Sequence, residues 1–192
     1  MTSPLSISST VTEVTATTPL DERVWFNLVL ENLNAASQEG AFAVDFIRKR
    51  NVKVSFRKQK ATGAMWSLNG NIYLNSNSFS LSTSASDAFM LSLVAHEALH
   101  LKQGMVTALS VLGELEAWQL GFRVYQALGA RIFGSALNEL MGLSISYDRD
   151  MLRKVRFLMQ AHAGKGYRID LLPLYPAWME IRYFFTRKIP GS

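Results

Sequence analysis

Two histidines and a glutamate stand within five residues, in the sequence His-Glu-Ala-Leu-His that runs from His96 to His100. Residues four apart on an α-helix lie one above the other, so both imidazoles can point at one metal ion. This spacing suits Zn²⁺, which keeps a position open for water in catalytic sites. Glu97 would then be the general base that takes a proton from this water as it attacks a carbonyl.

The residues around this motif predict a helix that is buried on most sides. Ser84 or Ser86 can cap its start, and Asp87 complements its positive end. Gly104 supplies the left-handed residue that ends it. A buried pair of core histidines, satisfied by hydrogen bonds or by an ion pair with the glutamate, is the alternative interpretation. Burying two imidazoles and a carboxylate costs several kcal/mol unless something binds them, which favours the metal.

A third protein ligand is expected, because catalytic zinc sites usually have three. The next predicted helix, about Thr107 to Leu128 and closed by Gly129, carries two candidates, Glu114 and Glu116. At about 100° per residue, Glu114 shares its face with small or apolar residues. Glu116 shares its face with Gly113, Gln119, Leu120 and Arg123, and beside Arg123 it can form an ordinary solvated ion pair. An inward carboxylate needs a cation, so Glu114 is the better ligand and Glu116 the alternative.

The HEALH motif, followed on the next helix by Glu-x-x-Ala from Glu114 to Ala117, resembles the gluzincin metallopeptidases. In its shortness the chain is most similar to the single-domain minigluzincins of that thermolysin-like clan. The resemblance covers about residues 51–125 and implies a zincin-like fold, a zinc cofactor and hydrolysis of peptide bonds. It also assigns the third zinc ligand to Glu114, and implies that an edge strand at residues 70–75 pairs with an extended peptide substrate.

The chain departs from this family at Trp118. Several members have an aspartate at that position, four residues after the ligand, which forms a hydrogen bond with a histidine. Another group must therefore orient His96 or His100, and the sequence does not identify it. A metzincin is excluded, because Gln103 stands three residues after His100 and no third histidine follows at the needed spacing.

The remaining pattern predicts an α+β fold that is mostly helical, with a small, mainly antiparallel sheet before the motif. Helices are expected from Asp21 and at about residues 38–50, and they should back the sheet. Val52, Val54 and Phe56 alternate with polar residues, as in a half-buried strand. Asn69-Gly70 between two apolar runs predicts a two-residue hairpin. Further helices are expected at about residues 132–141, 148–161 and 177–187.

The segment 164–192 is predicted to pack across the lower side of the metal cleft, because the groove's other wall must come from residues after Glu114. Its apolar anchors would be Leu171, Leu172, Tyr175, Trp178, Phe184 and Phe185. Glycines around Lys165 could let the loop move over bound substrate. Related enzymes stabilise the oxyanion with a tyrosine, histidine or arginine, which makes Tyr167 and His162 the catalytic candidates here.

Composition limits the class of protein. The chain has 192 residues, a net charge of +5 and no cysteine, which excludes disulfides and thiolate zinc sites. We expect a flexible Ser/Thr-rich tail at residues 1–20, a single domain at 21–192, no membrane span and a cytoplasmic protein. Basic residues cluster at 48–60 and in the C-terminal part. They are interpreted as solvated faces of amphipathic elements, and no nucleic-acid partner is expected because no binding motif accompanies them.

The sequence therefore predicts a zinc-dependent peptidase that acts on a peptide or protein substrate. His96, His100 and Glu114 would bind the metal, and Glu97 would activate the water. Two rival functions stay open. One is a zinc hydrolase of non-peptide amides, and the other is a binding or regulatory protein whose zinc site is idle or structural. The sequence carries no signal for an oligomeric state.

Overall fold

The computed structural model of the chain describes residues 21–60, 62–131, 134–164 and 167–186. Its fold is α+β and mostly helical, as predicted, with a three-stranded sheet before the helix that carries the motif. The predicted tail at 1–20, the start of the predicted helix at 132 and the loop residues 165–166 lie outside the described residues. The elements are α1 (Glu22–Ala36), α2 (Gln38–Lys49), β1 (Val54–Arg57), β2 (Ala64–Trp66), β3 (Ile72–Asn75), α3 (Ala88–Gln103), α4 (Met105–Ala108), α5 (Val111–Ala127), α6 (Ser135–Gly142), α7 (Arg149–Ala163), a 3₁₀ turn (Ile169–Leu171) and α8 (Ala177–Thr186).

The sheet has the order β1-β3-β2 and is mixed. The predicted hairpin is confirmed, since β2 and β3 pair antiparallel. Its predicted two-residue loop is wrong: Ser67 pairs with Asn71, so the loop has three residues, 68–70, and ends at Gly70 with a positive φ of 81°. The expectation of a mainly antiparallel sheet is wrong, because β1 pairs with β3 in parallel. The strand at residues 70–75 is also not an edge strand, since β3 is hydrogen-bonded on both sides. Among the described strands, β2 is the edge that lies beside α3.

Helix α1 packs against the sheet, as expected, and α2 belongs to the same core cluster as α1 and the sheet. Asp21 caps α1 by accepting from the backbone of Arg23, and Ser37 caps α2 by accepting from the backbone of Gly40. The ring of Trp25 packs 5.3 Å from that of Phe56 in β1, which joins the helices to the sheet. These residues belong to the first of two core clusters. The first cluster also contains buried residues of α3, so the helix that carries the motif is anchored in it. Its largest fully buried members are Trp25, Leu33, Ile72, Leu74, Met90 and Leu91.

Helix α3 is buried along most of its length, as its sequence predicts. Its cap is Asp87, which accepts from the backbone N–H of Met90 at 2.8 Å. The predicted cap, Ser84 or Ser86, is wrong. Both serines lie in the turn before the helix, and their hydroxyls are 2.9 Å apart. Gly104 ends α3 with a φ of 75° and donates its N–H to a carbonyl of the last turn.

The helix predicted at about residues 107–128 is interrupted. Ser110 adopts an extended conformation between α4 and α5 and caps α5 by accepting from the N–H of Gly113 at 3.0 Å. A side chain at Gly113 would stand 2.1 Å from the carbonyl oxygen of Thr107, so the chain can fold back here because this residue is glycine. Gly121 serves a similar purpose further along α5. A Cβ there would lie 2.9 Å from the carbonyl oxygen of Ser92, and glycine lets α5 approach α3 closely.

The C-terminal helices form a second core cluster with α5, whose largest fully buried members are Leu115, Leu140, Leu152, Met159, Ile169 and Tyr175. The first turn of α5 is joined to the loop before α8, because Val111 and Leu112 donate their N–H groups to the carbonyls of Pro173 and Leu174. Four of the apolar anchors predicted for the segment 164–192 are wrong, since these side chains are exposed: Leu171, Trp178, Phe184 and Phe185. Their exposure shows that α8 is covered on one side only. Tyr175 is fully buried, as expected.

Within the described ranges, no helix is both long enough and apolar enough to cross a membrane.

Candidate metal centre

His96 and His100 lie one turn apart on α3 and direct their imidazoles to the same point. Their Nε2 atoms are 2.9 Å apart, and the two rings meet at 82°. His100 is 2 % exposed, and the side chain of His96 is 14 % exposed. The helical spacing read from the sequence therefore brings two nitrogen donors together at the surface of the cavity.

Glu114 reaches the same point from the first turn of α5. Its carboxylate oxygens are 3.5 Å from Nε2 of His100 and 3.8 Å from Nε2 of His96. One donor atom from each of the three residues lies within 4.8 Å of the others, as in a site placed to hold a metal ion. Bonds of about 2.0–2.1 Å to a tetrahedral zinc put neighbouring ligand atoms about 3.3 Å apart, so the three residues fit that ion. Glu116, the alternative ligand, is outside the group and accepts a hydrogen bond from Gln103.

Burial and charge set the protonation of these residues. Burial, and then the nearby His100, lower the pKa of His96 to about 3, so its imidazole is neutral, which is the form that binds metals. Burial also lowers the pKa of His100, but the hydrogen bond and charge of Glu114 outweigh it and the net shift is upward. Burial raises the pKa of Glu114, and the two histidines reverse this to a net lowering. The group therefore concentrates negative charge on Glu114, which a cation would neutralise.

Glu97 is buried beside the group but belongs to the sheet side of the cavity. Its Oε2 accepts the backbone N–H of Trp66, at the end of β2, at 2.8 Å. Burial raises the pKa of Glu97 to about 7, although the charge of His100 and the bond from Trp66 oppose the shift. A carboxylate with a pKa near neutrality can both take up and release a proton at physiological pH. The sequence predicted the residue, but not the strand that holds it.

Tyr167 enters the site from the segment after α7. Its hydroxyl donates to Oε2 of Glu114 and accepts from Nε1 of Trp118, which is 2.8 Å away. Burial, with the charge of Glu114, raises the pKa of Tyr167 well above its usual value, so the hydroxyl keeps its proton. Trp118 therefore positions a tyrosine. His162 lies further out, with its ring 5.6 Å from that of Trp118 and 6.3 Å from that of Phe122.

Each histidine of the metal group has a hydrogen-bond partner that orients its ring. Nδ1 of His100 lies 3.0 Å from Oε1 of Gln103, and the imidazole of His96 forms a hydrogen bond with the backbone of Ala117. Backbone contacts of this kind leave no mark in a sequence. Gln103 could have been found, because it follows His100 by three residues and so shares its helical face.

The metal group opens into a cavity of about 550 Å³. Its walls come from β2, α3, α5 and the residues around the end of α7, and they are largely apolar around the metal group: Met65, Trp66, Phe89, Leu93, Trp118 and Phe122. No protein-family model, curated protein or solved structure matches the chain. The arrangement has the parts for metal-assisted hydrolysis: three ligands, a buried carboxylate beside them and a cavity that admits a substrate.

Proposed function

We propose that the protein is a zinc-dependent peptidase of the gluzincin type with a zincin-like fold. One observation carries this proposal: His96, His100 and Glu114 converge on one point, and the buried carboxylate of Glu97 stands beside it at the cavity wall. A structural zinc site needs no free carboxylate and is usually closed by a fourth ligand. Glu97 is therefore best explained by a reaction that moves a proton.

The residues of the site have different roles in the proposed reaction. Zinc, when bound, supplies Lewis-acid chemistry that polarises a carbonyl and makes a water more acidic. Glu97 takes the proton of the attacking water and passes it to the leaving amine, and its bond from Trp66 keeps the carboxylate aimed at the cavity. Glu114 would offset one of the two positive charges of the ion, and Tyr167, which accepts a hydrogen bond from Trp118, holds the Glu114 carboxylate in place.

A peptide is favoured over a small amide by the position of β2. This strand pairs with β3 on one side and borders the cavity together with the residues that precede it, Thr62 and Gly63. An extended peptide can add to a sheet edge through main-chain hydrogen bonds. Its carbonyl groups are then regularly spaced along the cavity that contains the metal group. The apolar side chains of the cavity would then accept the peptide's own side chains.

The second candidate function is a zinc-binding protein that does not hydrolyse peptides. The hydrogen bond between Tyr167 and Glu114 favours it, because a ligand fixed in this way also suits a site that only holds its ion. The two functions differ in what the zinc-loaded protein does to a peptide.

The test is cleavage of a broad peptide library, with products identified by mass spectrometry. Zinc-loaded protein should cut a subset of peptides, chelator treatment should stop this, and returned zinc should restore it. His96→Ala, which removes one ligand, should be inactive throughout. A protein that holds zinc tightly and cleaves no peptide would refute the peptidase and support the second candidate.

A further inference from the structure

A chain of hydrogen bonds joins one metal ligand to a residue outside the metal group. His100 Nδ1 is 3.0 Å from Oε1 of Gln103. The amide nitrogen of Gln103 donates to the carbonyl oxygen of Gly113 at 3.0 Å and to Oε2 of Glu116 at 2.8 Å. Gln103 is the last residue of α3, and the two acceptors lie in the first turns of α5, so this contact connects the helices that carry the ligands.

These contacts fix which end of the amide faces His100. A carbonyl oxygen and a carboxylate can only accept, so both must face the NH₂ group of Gln103. Its amide oxygen then has to face His100, and the reversed amide would bring oxygen against two acceptors. An amide oxygen accepts and does not donate. His100 Nδ1 must therefore carry a proton, so that in the neutral imidazole, the form that binds metal, the lone pair is on Nε2 and faces His96 and Glu114.

We propose that Gln103 is a positioning residue that holds His100 in the tautomer required for metal binding, and that Glu116 acts through it. This proposal rests on the metal centre of the proposed function and deepens it. Glu116 accepts a hydrogen bond from the NH₂ group of Gln103 and so fixes the amide, and the amide oxygen in turn orients the imidazole of His100. The carbonyl of Gly113 belongs to the residue next to Glu114, so the same amide also fixes the distance between the nitrogen and carboxylate ligands.

The role differs from simple packing in a measurable way. A group that only fills space can be replaced by a side chain of similar size, whereas this network needs an acceptor facing Nδ1 and a donor facing Glu116. Methionine has the length of glutamine and neither group. The reciprocal exchange, Gln103→Glu with Glu116→Gln, keeps an acceptor at Nδ1 and restores a hydrogen bond between positions 103 and 116 with its direction reversed. It leaves the carbonyl of Gly113 without a donor, so the rescue is expected to be partial.

The first experiment measures the zinc dissociation constant by competition with a chromophoric chelator. Gln103→Met should raise this constant about 10–100-fold, the usual cost of losing a partner that orients a ligand. Glu116→Ala should raise it less, because Gly113 still accepts from the amide. The reciprocal exchange should bind zinc more tightly than Gln103→Met. Gln126→Met, the same change at an exposed position on α5, is the matched control and should leave the constant unchanged.

The second experiment reads the tautomer from ¹⁵N chemical shifts of histidine-labelled, zinc-free protein at a pH where His100 is neutral, because bound zinc would itself fix the proton on Nδ1. The chain has three histidines, so the signals can be assigned with single variants. Wild type should show a proton on Nδ1 of His100, and Gln103→Met should show a second state or a broadened signal. If Gln103→Met does not fold, which circular dichroism would reveal, Glu116→Ala carries both measurements.

Two results would overturn the proposal. One is zinc binding by the Gln103 variant, or by Glu116→Ala in its place, that equals wild type. The other is weakened binding while His100 keeps the wild-type signal, because the loss would then not act through the tautomer. Failure of wild type itself to bind zinc would be a different outcome, since it would remove the proposed function and this inference together.

Discussion

The two sides of the cavity are built in different ways. On the α3 side, three site residues lie within one helical turn, between His96 and His100, and the helix geometry alone brings them together. On the other side, Glu114, Trp118 and Tyr167 are spread over 53 residues and meet through a chain of hydrogen bonds. The first side depends on local spacing, and the second depends on how α5 and the segment after α7 pack.

Each side also belongs to its own core. The apolar residues of α3 are part of the cluster that includes the sheet, while Trp118 and the C-terminal helices make up the other cluster. The metal group lies where they meet, with ligands from both. A bound ion would therefore cross-link the two halves and add about 4 kcal/mol to folding stability at a free concentration 1,000 times its dissociation constant.

The largest effect is expected for Glu97→Gln on the α3 side. The amide cannot accept a proton, so peptide hydrolysis should fall by about 10²–10⁴-fold. Zinc content should stay at the wild-type level, because Glu97 is outside the ligand group. Metal analysis and initial rates on the same preparation check both points. A variant that loses zinc while keeping its rate after reconstitution would show that the assigned role is wrong.

Removing the ligand on the other side should show that α5 completes the site. Glu114→Ala leaves only two imidazoles as ligands. Loss of a partner outside the ligand group lowers metal affinity by about 10–100-fold, so loss of this ligand should lower zinc affinity by more than about 100-fold. Glu116→Ala is the matched control on the same helix and should have the smaller effect. Chelator competition measures both constants. The opposite ranking would mean that α5 presents its other face to α3.

Contact between the two sides should fail if α5 is moved away from α3. Gly121→Ala places a Cβ about 2.9 Å from the carbonyl of Ser92 and 3.3 Å from Cβ of His96. Overpacking of this kind costs about 1–3 kcal/mol, and the shift should also weaken zinc binding. Gly142→Ala in α6 is the control, since a Cβ there meets nothing within 4 Å. Urea unfolding of both variants measures the difference in stability. Equal unfolding midpoints would show that α3 and α5 can accommodate the added methyl group without strain.

The smallest effect is expected for Tyr167→Phe. The variant loses the hydroxyl that joins Trp118 to Glu114 but keeps the ring, so zinc affinity should fall by about tenfold. If Tyr167 also stabilises the oxyanion, the catalytic rate of the zinc-saturated variant will fall as well. Chelator competition and rates at saturating zinc separate these two roles. Wild-type values in both measurements would leave Tyr167 as part of the core.

The sequence was sufficient for the parts of the site that depend on local geometry. The helix spacing predicted His96, Glu97 and His100, and the helical face distinguished Glu114 from Glu116. The hairpin could be located because Asn69-Gly70 separates two apolar runs, although its loop is one residue longer than predicted. Each of these features depends on residues that are near neighbours in the chain, so periodicity and turn chemistry are enough.

What the sequence could not supply depends on contacts between distant residues. Periodicity does not say which strand pairs with which, and the strand at residues 70–75, which the family resemblance implies to be an edge strand, lies in the middle of the sheet. The break at Ser110 depends on the approach of Gly113 to the carbonyl of Thr107, which a helical pattern does not reveal. The contact of Gln103 with His100 follows from their spacing on α3, but its contacts with Gly113 and Glu116 depend on α5 lying beside it.

The central claim is that three residues from two sides of one cavity bind a single zinc ion. Elemental analysis of protein purified without chelator tests it most directly. Wild type should contain about one zinc per chain, and His96→Ala, His100→Ala and Glu114→Ala should each contain far less at the same protein concentration. Metal-free wild type that takes up no zinc, or full zinc occupancy in the histidine variants, would contradict the account.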